Sequence, residues 1–351
     1  MQFSKREQKI RREVGRTMTT RHRTKYFLAL ITIALVTCSF TGCNDDPVNM
    51  PAKKPFNIGM VTFAGYAPLY LAKQKGYFGD LEVNLKRIEE VPSIRAGVIR
   101  GDLDAYLATP DIALDTNAKP VGKAVWAIDE SAGGDGVVVS GGIRNLSELK
   151  GKKVAAEPGL PPNFVFLYLL HQSGLSTKDI EFQDMSTQNA AAAFTSGAVD
   201  AAGIYEPYLS TAMKQRKGSR VVISSAQMPD MIVDLIFVRD DVIASRQSDV
   251  ARIIEGWRKA IAFIKENPDE ANNVMAGSFN LPVNDFKDVV SGIKWLDLQE
   301  NRRLFGTDGA PGSLYKNFTV VGDVLRRHRP DVYTATTEEH LGRAFIQTIR
   351  E

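Results

Sequence analysis

The sequence predicts an α/β protein built from mostly parallel sheets flanked by helices. Two observations predict it. Short apolar runs suited to buried strands alternate from Phe56 onward with helical segments that open on proline and close on glycine, and one helix-end-to-strand pattern occurs twice. Repeated strand–helix units call for parallel strands whose faces are covered by the connecting helices.

Phe56–Val61 is an apolar run that fits a buried strand. Gly65-Tyr66-Ala67-Pro68 leads into a helix, with Pro68 in its first turn and Gly76 just past its end. Leu81, Val83 and Leu85 alternate with polar residues as a second strand, and Pro92 opens a helix that stops near Gly101. Asp104–Ala108 is a third strand, Thr109-Pro110-Asp111 begins the next helix, and Val121–Ile128 is a strand again. Asp129 to Gly136 is polar and Gly-rich and reads as a link. A second series follows, with strands at Lys153–Ala156, Ile180–Met185, Ala201–Tyr205, Arg220–Ser224 and Val233–Val238. Its helices lie at Asn163–Ser173 and Ala190–Ser196, and Glu206-Pro207 opens another. After Arg239 the reading is helical. Val250, Ile253, Ile254, Trp257, Ile261 and Ile264 form a core-facing stripe at helical spacing. Gly101-Asp102-Leu103-Asp104-Ala105 is echoed by Gly197-Ala198-Val199-Asp200-Ala201, which fits two α/β lobes of similar build.

Ahead of this lies a basic segment and then an apolar run of 15 residues, Tyr26 to Phe40. A membrane-spanning helix needs about 20 apolar residues, so the pair reads as a secretory signal over residues 1–42. Phe40-Thr41-Gly42-Cys43 resembles the bacterial lipobox, although Phe40 departs from the usual Leu. The resemblance implies that Cys43 is lipidated and becomes the mature N-terminus, held on the outer side of the membrane by the lipid bilayer. Residues 43–55, polar with prolines, read as a tether.

The whole chain carries 44 basic and 41 acidic residues, but 9 of the basic and only 2 of the acidic ones precede Cys43. The remainder holds 35 basic and 39 acidic residues, so the basic excess belongs to the signal and gives no footprint for nucleic acid. Beyond Cys43 the chain has no further cysteine, which excludes a disulfide and a Cys-based metal site in the folded part. No cofactor is implied.

Gly65-Tyr66-Ala67-Pro68-Leu69-Tyr70-Leu71-Ala72, followed by Lys75-Gly76-Tyr77-Phe78, resembles the first helix of type II periplasmic binding proteins. The branch concerned serves nitrate, sulfonate, taurine and thiamine-precursor importers. Asp129 to Gly136, Leu149 to Ala155, Tyr205-Glu206-Pro207-Tyr208 and Ile232-Val233-Asp234 resemble the same branch, in the same order. The resemblance implies a two-lobed protein, lobe 1 being 56–130 with 236–351 and lobe 2 being 131–235, joined by a two-strand hinge. A small-molecule solute would bind between the lobes and be handed to the permease of an ABC importer, with no enzymatic step.

In open α/β sheets ligands sit beyond the C-terminal ends of the strands. That rule selects Thr62–Tyr66, Thr109–Asp111, Asp129–Asp135, Glu157–Gly159 and Tyr205–Glu206. The candidate ligand-binding residues are Gly65, Tyr66, Thr109, Asp111, Ser131, Asp135, Glu157, Tyr205 and Glu206. These loops hold six carboxylates and no Lys, Arg or His. Two like charges 4 Å apart cost about 4 kcal/mol at an effective dielectric of 20, so the inventory favours an amine-bearing or pyrimidine-like solute over nitrate, taurine or an alkanesulfonate. Structural roles compete. Glu157 and Glu206 each precede a proline at a helix start, where the helix dipole favours an acid by about 0.3–1 kcal/mol. Asp129 and Asp135 could fasten the Gly-rich link, and Asp234, inside an apolar strand, needs partners if buried. An enzyme on this fold of the pyrimidine-synthase kind would need Cys and His in the cleft, and the loops have neither.

Overall fold

A computed structural model describes residues 54–115, 119–307, 310–328 and 340–342. The signal segment, Cys43 and most of the tether lie outside the described residues. The described chain forms two main sheets, of six and five strands, with helices around them, and a small two-stranded pair of Gly306–Thr307 with Ala310–Pro311.

In the first sheet β1 (Phe56–Met60), β2 (Val83–Arg87) and β3 (Ala105–Ala108) run parallel. Their connections are α1 (Ala67–Gln74) and α2 (Val91–Arg100), each with proline in its first turn. Then α3 (Pro110–Leu114) leads to β4 (Lys123–Ser131). Gly76 lies just beyond the end of α1 at φ 67°, a left-handed position where a side chain would be strained. The second sheet contains β5 (Asp135–Val139), β6 (Lys153–Ala156), β7 (Glu181–Asp184), β8 (Ala201–Tyr205) and β9 (Arg220–Ser224). Its helices are α4 (Pro161–Gln172), α5 (Thr187–Ser196) and α6 (Tyr208–Gln215). The chain then returns to the first sheet as β10 (Val233–Val238). It continues through α7 (Asp240–Ser245), α8 (Gln247–Glu266), α9 (Pro268–Ser278) and α10 (Val283–Val290). A short strand β11 (Ile293–Trp295) is followed by α11 (Leu298–Phe305) and α12 (Ser313–His328).

The strand orders are β2-β1-β3-β10-β4-β11 and β7-β6-β8-β5-β9. Each sheet therefore receives one strand from the crossover between the two halves, inserted antiparallel: β10 between β3 and β4, and β5 between β8 and β9. The repeated motif occupies equivalent places in the two sheets. Gly101 and Gly197 both take φ 82° after a helix. Asp104 bonds the main chain of Asn57 at the start of β1 through its own amide (2.8 Å) and Oδ2 (2.9 Å). Asp200 does the same to Lys153 at the start of β6, at 2.8 and 3.1 Å.

Three local expectations change. The segment from Asp129 to Gly136, read by composition as a link and by resemblance as one of the two hinge strands, is mostly strand, because β4 runs on to Ser131 and β5 starts at Asp135. The physical cause is pairing: Asp129 lies opposite Asp234 on β10 and Trp295 on β11, and ladder bonds override the low strand preference of acidic residues. Strand β5, buried throughout, had no place in the sequence reading. Nor did β11, which interrupts the helical C-terminal region.

The return crossover is clamped at Asp230. Its amide donates to Glu130 Oε1 at 2.7 Å, and Arg303 on α11 donates to both its carboxylate oxygens at 2.5 and 2.7 Å. The stripe on α8 is buried at Val250, Ile253, Ile254, Trp257 and Ile261. Trp257 adds a 2.9 Å hydrogen bond from Nε1 to the Leu296 carbonyl.

Candidate functional site

A cavity of about 140 Å³ opens between the ends of the two sheets. Its wall follows the strand-end rule. Val61, Thr62 and Phe63 follow β1, Glu89 follows β2, Ile112 follows β3, Glu157 follows β6, and Tyr205 ends β8. Tyr66, Asp135, Leu160, Pro161, Ile232 and Asp234 complete it. A wider outer cleft of about 770 Å³ shares Thr62, Phe63, Glu89 and Tyr205 and adds Glu206.

Tyr66, Asp135, Glu157 and Tyr205 thus come together on one cavity, and Glu206 stands at its mouth. Gly65, Thr109, Asp111 and Ser131 are not among the lining residues. Gly65 and Ser131 nonetheless support the wall. A Cβ on Gly65 would come within 2.6 Å of Asp129 Oδ2, and the Gly65 carbonyl accepts from Trp295 Nε1 at 2.9 Å. Ser131 Oγ donates to Asp135 Oδ2 at 2.6 Å and meets Ser225 Oγ at 2.8 Å, so the two crossovers are joined behind Asp135. Thr109 and Asp111 are buried at the start of α3.

Two of the six carboxylates are occupied at helix starts. Glu157 Oε2 accepts from Thr187 N (2.8 Å) and Oγ1 (3.0 Å) at the start of α5. Glu206 accepts from Ser210 N (3.1 Å) and Oγ (2.6 Å) in the first turn of α6. Glu89, which the sequence reading passed over, accepts from Thr62 N (3.2 Å) and Oγ1 (2.6 Å). The strand-end rule applied to β2 would have found it.

The floor of the cavity is different. Asp234 is 4% exposed, and its Oδ1 accepts from the Tyr66 hydroxyl at 2.5 Å. Directly behind it Asp129 is wholly buried, and no donor among the described residues reaches either of its oxygens. Among the described residues no Lys, Arg or His lies within ion-pair distance of Asp111, Asp129, Asp135 or Asp234. Burial, reinforced by the Asp234 charge, holds the Asp129 carboxyl far above the usual carboxylate range. Burial pushes Asp234 up to about 7, against the pull of the Tyr66 hydrogen bond. Burial also raises Asp111 to about 7 and Asp135 to about 6, the latter opposed by the Ser131 hydrogen bond. The Tyr205 phenol is pushed up to about 12 by burial and by Glu157.

Such a floor offers oxygen acceptors and latent negative charge beneath apolar walls and two phenol rings. Such carboxyls can accept hydrogen bonds from donors of a molecule set against the Tyr66 and Tyr205 rings. Among the described residues no group of His, Cys, Asp or Glu is arranged to hold a metal ion.

Comparison with known proteins agrees with this geometry at the level of fold. The chain is 27% identical over 251 residues to a putative aliphatic sulfonates-binding protein of Bacillus subtilis (strain 168), covering 69% of this chain and 75% of that one. The periplasmic aliphatic sulphonate binding protein of Escherichia coli superposes with a TM-score of 0.66 at 16% identity, over 83% of this chain and 92% of that one. The periplasmic nitrate-binding protein of Synechocystis PCC 6803 gives 0.60 at 15% identity, over 83% and 86%. The fold is thus that of the two-lobed type II periplasmic binding proteins. The sequence profile of the family described as NMT1/THI5 like matches residues 64–271, well over half the chain, and the chain belongs to that family.

Proposed function

We propose that this protein is the solute-binding component of an ABC importer, acting outside the cell membrane and tethered through a lipidated Cys43, and that its solute is a small amine-bearing or pyrimidine-like cation. The chain is a binding protein rather than an enzyme, in keeping with its relatives. Solute enters the cavity between the two sheets, closure of the lobes encloses it, and the closed form is presented to the permease. Ligand must favour the closed state over the open one, since equal affinity for both would shift nothing.

The observation that carries the cationic reading is the cavity floor. Asp135 and Asp234 line it, both more than nine-tenths buried, with no basic side chain among the described residues to balance them. An anionic solute would oppose these groups whenever they ionise, in a poorly screened site, whereas a cation would favour their charge. A second reading, a nitrate, taurine or alkanesulfonate carrier, is favoured by the names of the relatives above. A thermal-shift screen of the purified protein separates the two. Its panel holds n-butylamine, putrescine, 4-aminopyrimidine, betaine, taurine, methanesulfonate and nitrate. A ligand at 100 times its dissociation constant adds about 2.7 kcal/mol, roughly 2–4 °C or more for a chain of this size. Stabilisation by amines alone supports the cationic reading, and stabilisation by sulfonates or nitrate alone overturns it.

A further inference from the structure

Asp129 does not touch the cavity, yet it is the most enclosed acid in the molecule's centre, 0% exposed. It is the register partner of Asp234 across β4 and β10. Trp295 pairs with it on the other side, from β11, and Gly65 closes over its carboxyl from the turn before α1. The charged or titratable groups facing the pair are Tyr66 from that turn, Asp111 from α3, Asp135 from β5 and Glu130 from β4. Glu130 is directed the other way, to the Asp230 amide at 2.7 Å and to Lys294 Nζ at 3.8 Å. Every other facing group is acidic or a phenol. A carboxylate with no donor on either oxygen cannot remain ionised in such a place, whereas a carboxylic acid there can give its proton to the neighbouring carboxylate.

We propose that Asp129 is a positioning residue that keeps its proton and donates it to Asp234, and that Asp234 releases its own proton to solvent when the N–H cation of the solute binds. The inference rests on the cationic reading above. The exchange balances: the Asp234 acid and the ammonium or amidinium solute give an Asp234 carboxylate paired with that cation, plus one proton taken up by buffer. Asp129 and the Tyr66 hydroxyl both donate to Asp234 and so stabilise the carboxylate that the cation needs. Burial keeps Asp234 neutral in the empty site, and the two donors let it become anionic once a cation fills it. This gives selectivity for solutes that carry N–H groups over equally sized neutral ones, without an isolated buried charge in the empty protein. The raised proton affinities of the two carboxyls accord with this arrangement.

The test is calorimetric titration of the purified protein with n-butylamine and putrescine, both fully protonated throughout, in pairs of buffers of different ionisation enthalpy, from pH 5.5 to 8.5. One proton released per cation bound below pH 7, fading to none by pH 8.5, is expected, with affinity rising by about tenfold per pH unit at the acid end. Asp129→Asn keeps a donor to Asp234 and should keep both the affinity and the profile. Asp129→Leu removes the donor and should move the profile to higher pH, whereas a merely structural role would weaken binding equally at every pH. Binding of these cations with no proton release and a flat profile overturns the exchange and leaves the cationic reading standing. Equal loss in Asp129→Asn and Asp129→Leu overturns the role of Asp129 as a proton-keeping donor. Failure of both amines to bind while methanesulfonate or nitrate binds overturns both.

Discussion

The Tyr66 hydroxyl donates to Asp234 Oδ1 at 2.5 Å, joining the turn before α1 to the crossover strand β10 across 168 residues of sequence. The bond spans the two parts of the chain that must meet to form the cavity floor. Asp129 stands on the far side of Asp234 in the same layer, so three groups that titrate are stacked in one enclosed spot. Their energetics lead to expectations that can be checked.

The empty protein should lose stability as pH rises from 5 to 8. Asp111, Asp135 and Asp234 sit at about 7, 6 and 7 in the folded state against 3.8 unperturbed. The folded state therefore binds more protons than the unfolded one between pH 4 and 7. The stability so gained is complete below about pH 4 and is lost as pH passes through 6–7, at about 1.4 kcal/mol per pH unit for each extra proton held. Urea midpoints at pH 5, 6, 7 and 8 without added amine measure it, and a midpoint that climbs across this window would contradict the buried cluster.

Tyr66→Phe keeps the ring and removes the donor. The hydrogen bond from Tyr66 favours the ionised form of Asp234, so its loss should raise the proton affinity of Asp234. The pH midpoint of amine binding should rise, with a stability loss of about 1 kcal/mol. An unchanged midpoint would show that the 2.5 Å contact has no bearing on binding.

Gly65→Ala should destabilise by about 1–3 kcal/mol through overpacking. The added methyl would stand 2.6 Å from Asp129 Oδ2 and 2.9 Å from its Cγ, and Asp129 has nowhere to go between Asp234 and Trp295. Gly142→Ala, with nothing within 4 Å, is the matched control and should change stability by less than about 0.5 kcal/mol. Equal denaturation midpoints for the two variants would refute the close approach.

Asp135→Asn should weaken amine binding by about 10- to 100-fold, the usual worth of a buried hydrogen bond to a charged group. Glu206→Gln should weaken it by less than about threefold, because Glu206 lies in the outer cleft and is held by Ser210. Dissociation constants for putrescine decide the order. A larger loss in the Glu206 variant would move the binding point outward to the mouth.

Much of this was legible in the chain. Proline at helix openings, glycine at their ends and the twice-used Gly–Asp–Ala pattern are local signals, governed by backbone conformations that a few residues dictate. They placed the strand ends, and with them Tyr66, Asp135, Glu157 and Tyr205, on one cavity. The charge of the loops was equally open to reading, since composition needs no fold. What tertiary structure alone decided is which acids line the cavity floor. Asp234 lies inside an apolar run and reads as core. It reaches the floor only because β10 inserts antiparallel beside β4 and sets it opposite Asp129, and the register of a pairing more than a hundred residues long in sequence leaves no trace in local periodicity. Glu157 lines the cavity and Glu206 its mouth, and it took the fold to show that the starts of α5 and α6 also engage their carboxylates in hydrogen bonds from Thr187 and Ser210, because amides left unpaired there need acceptors.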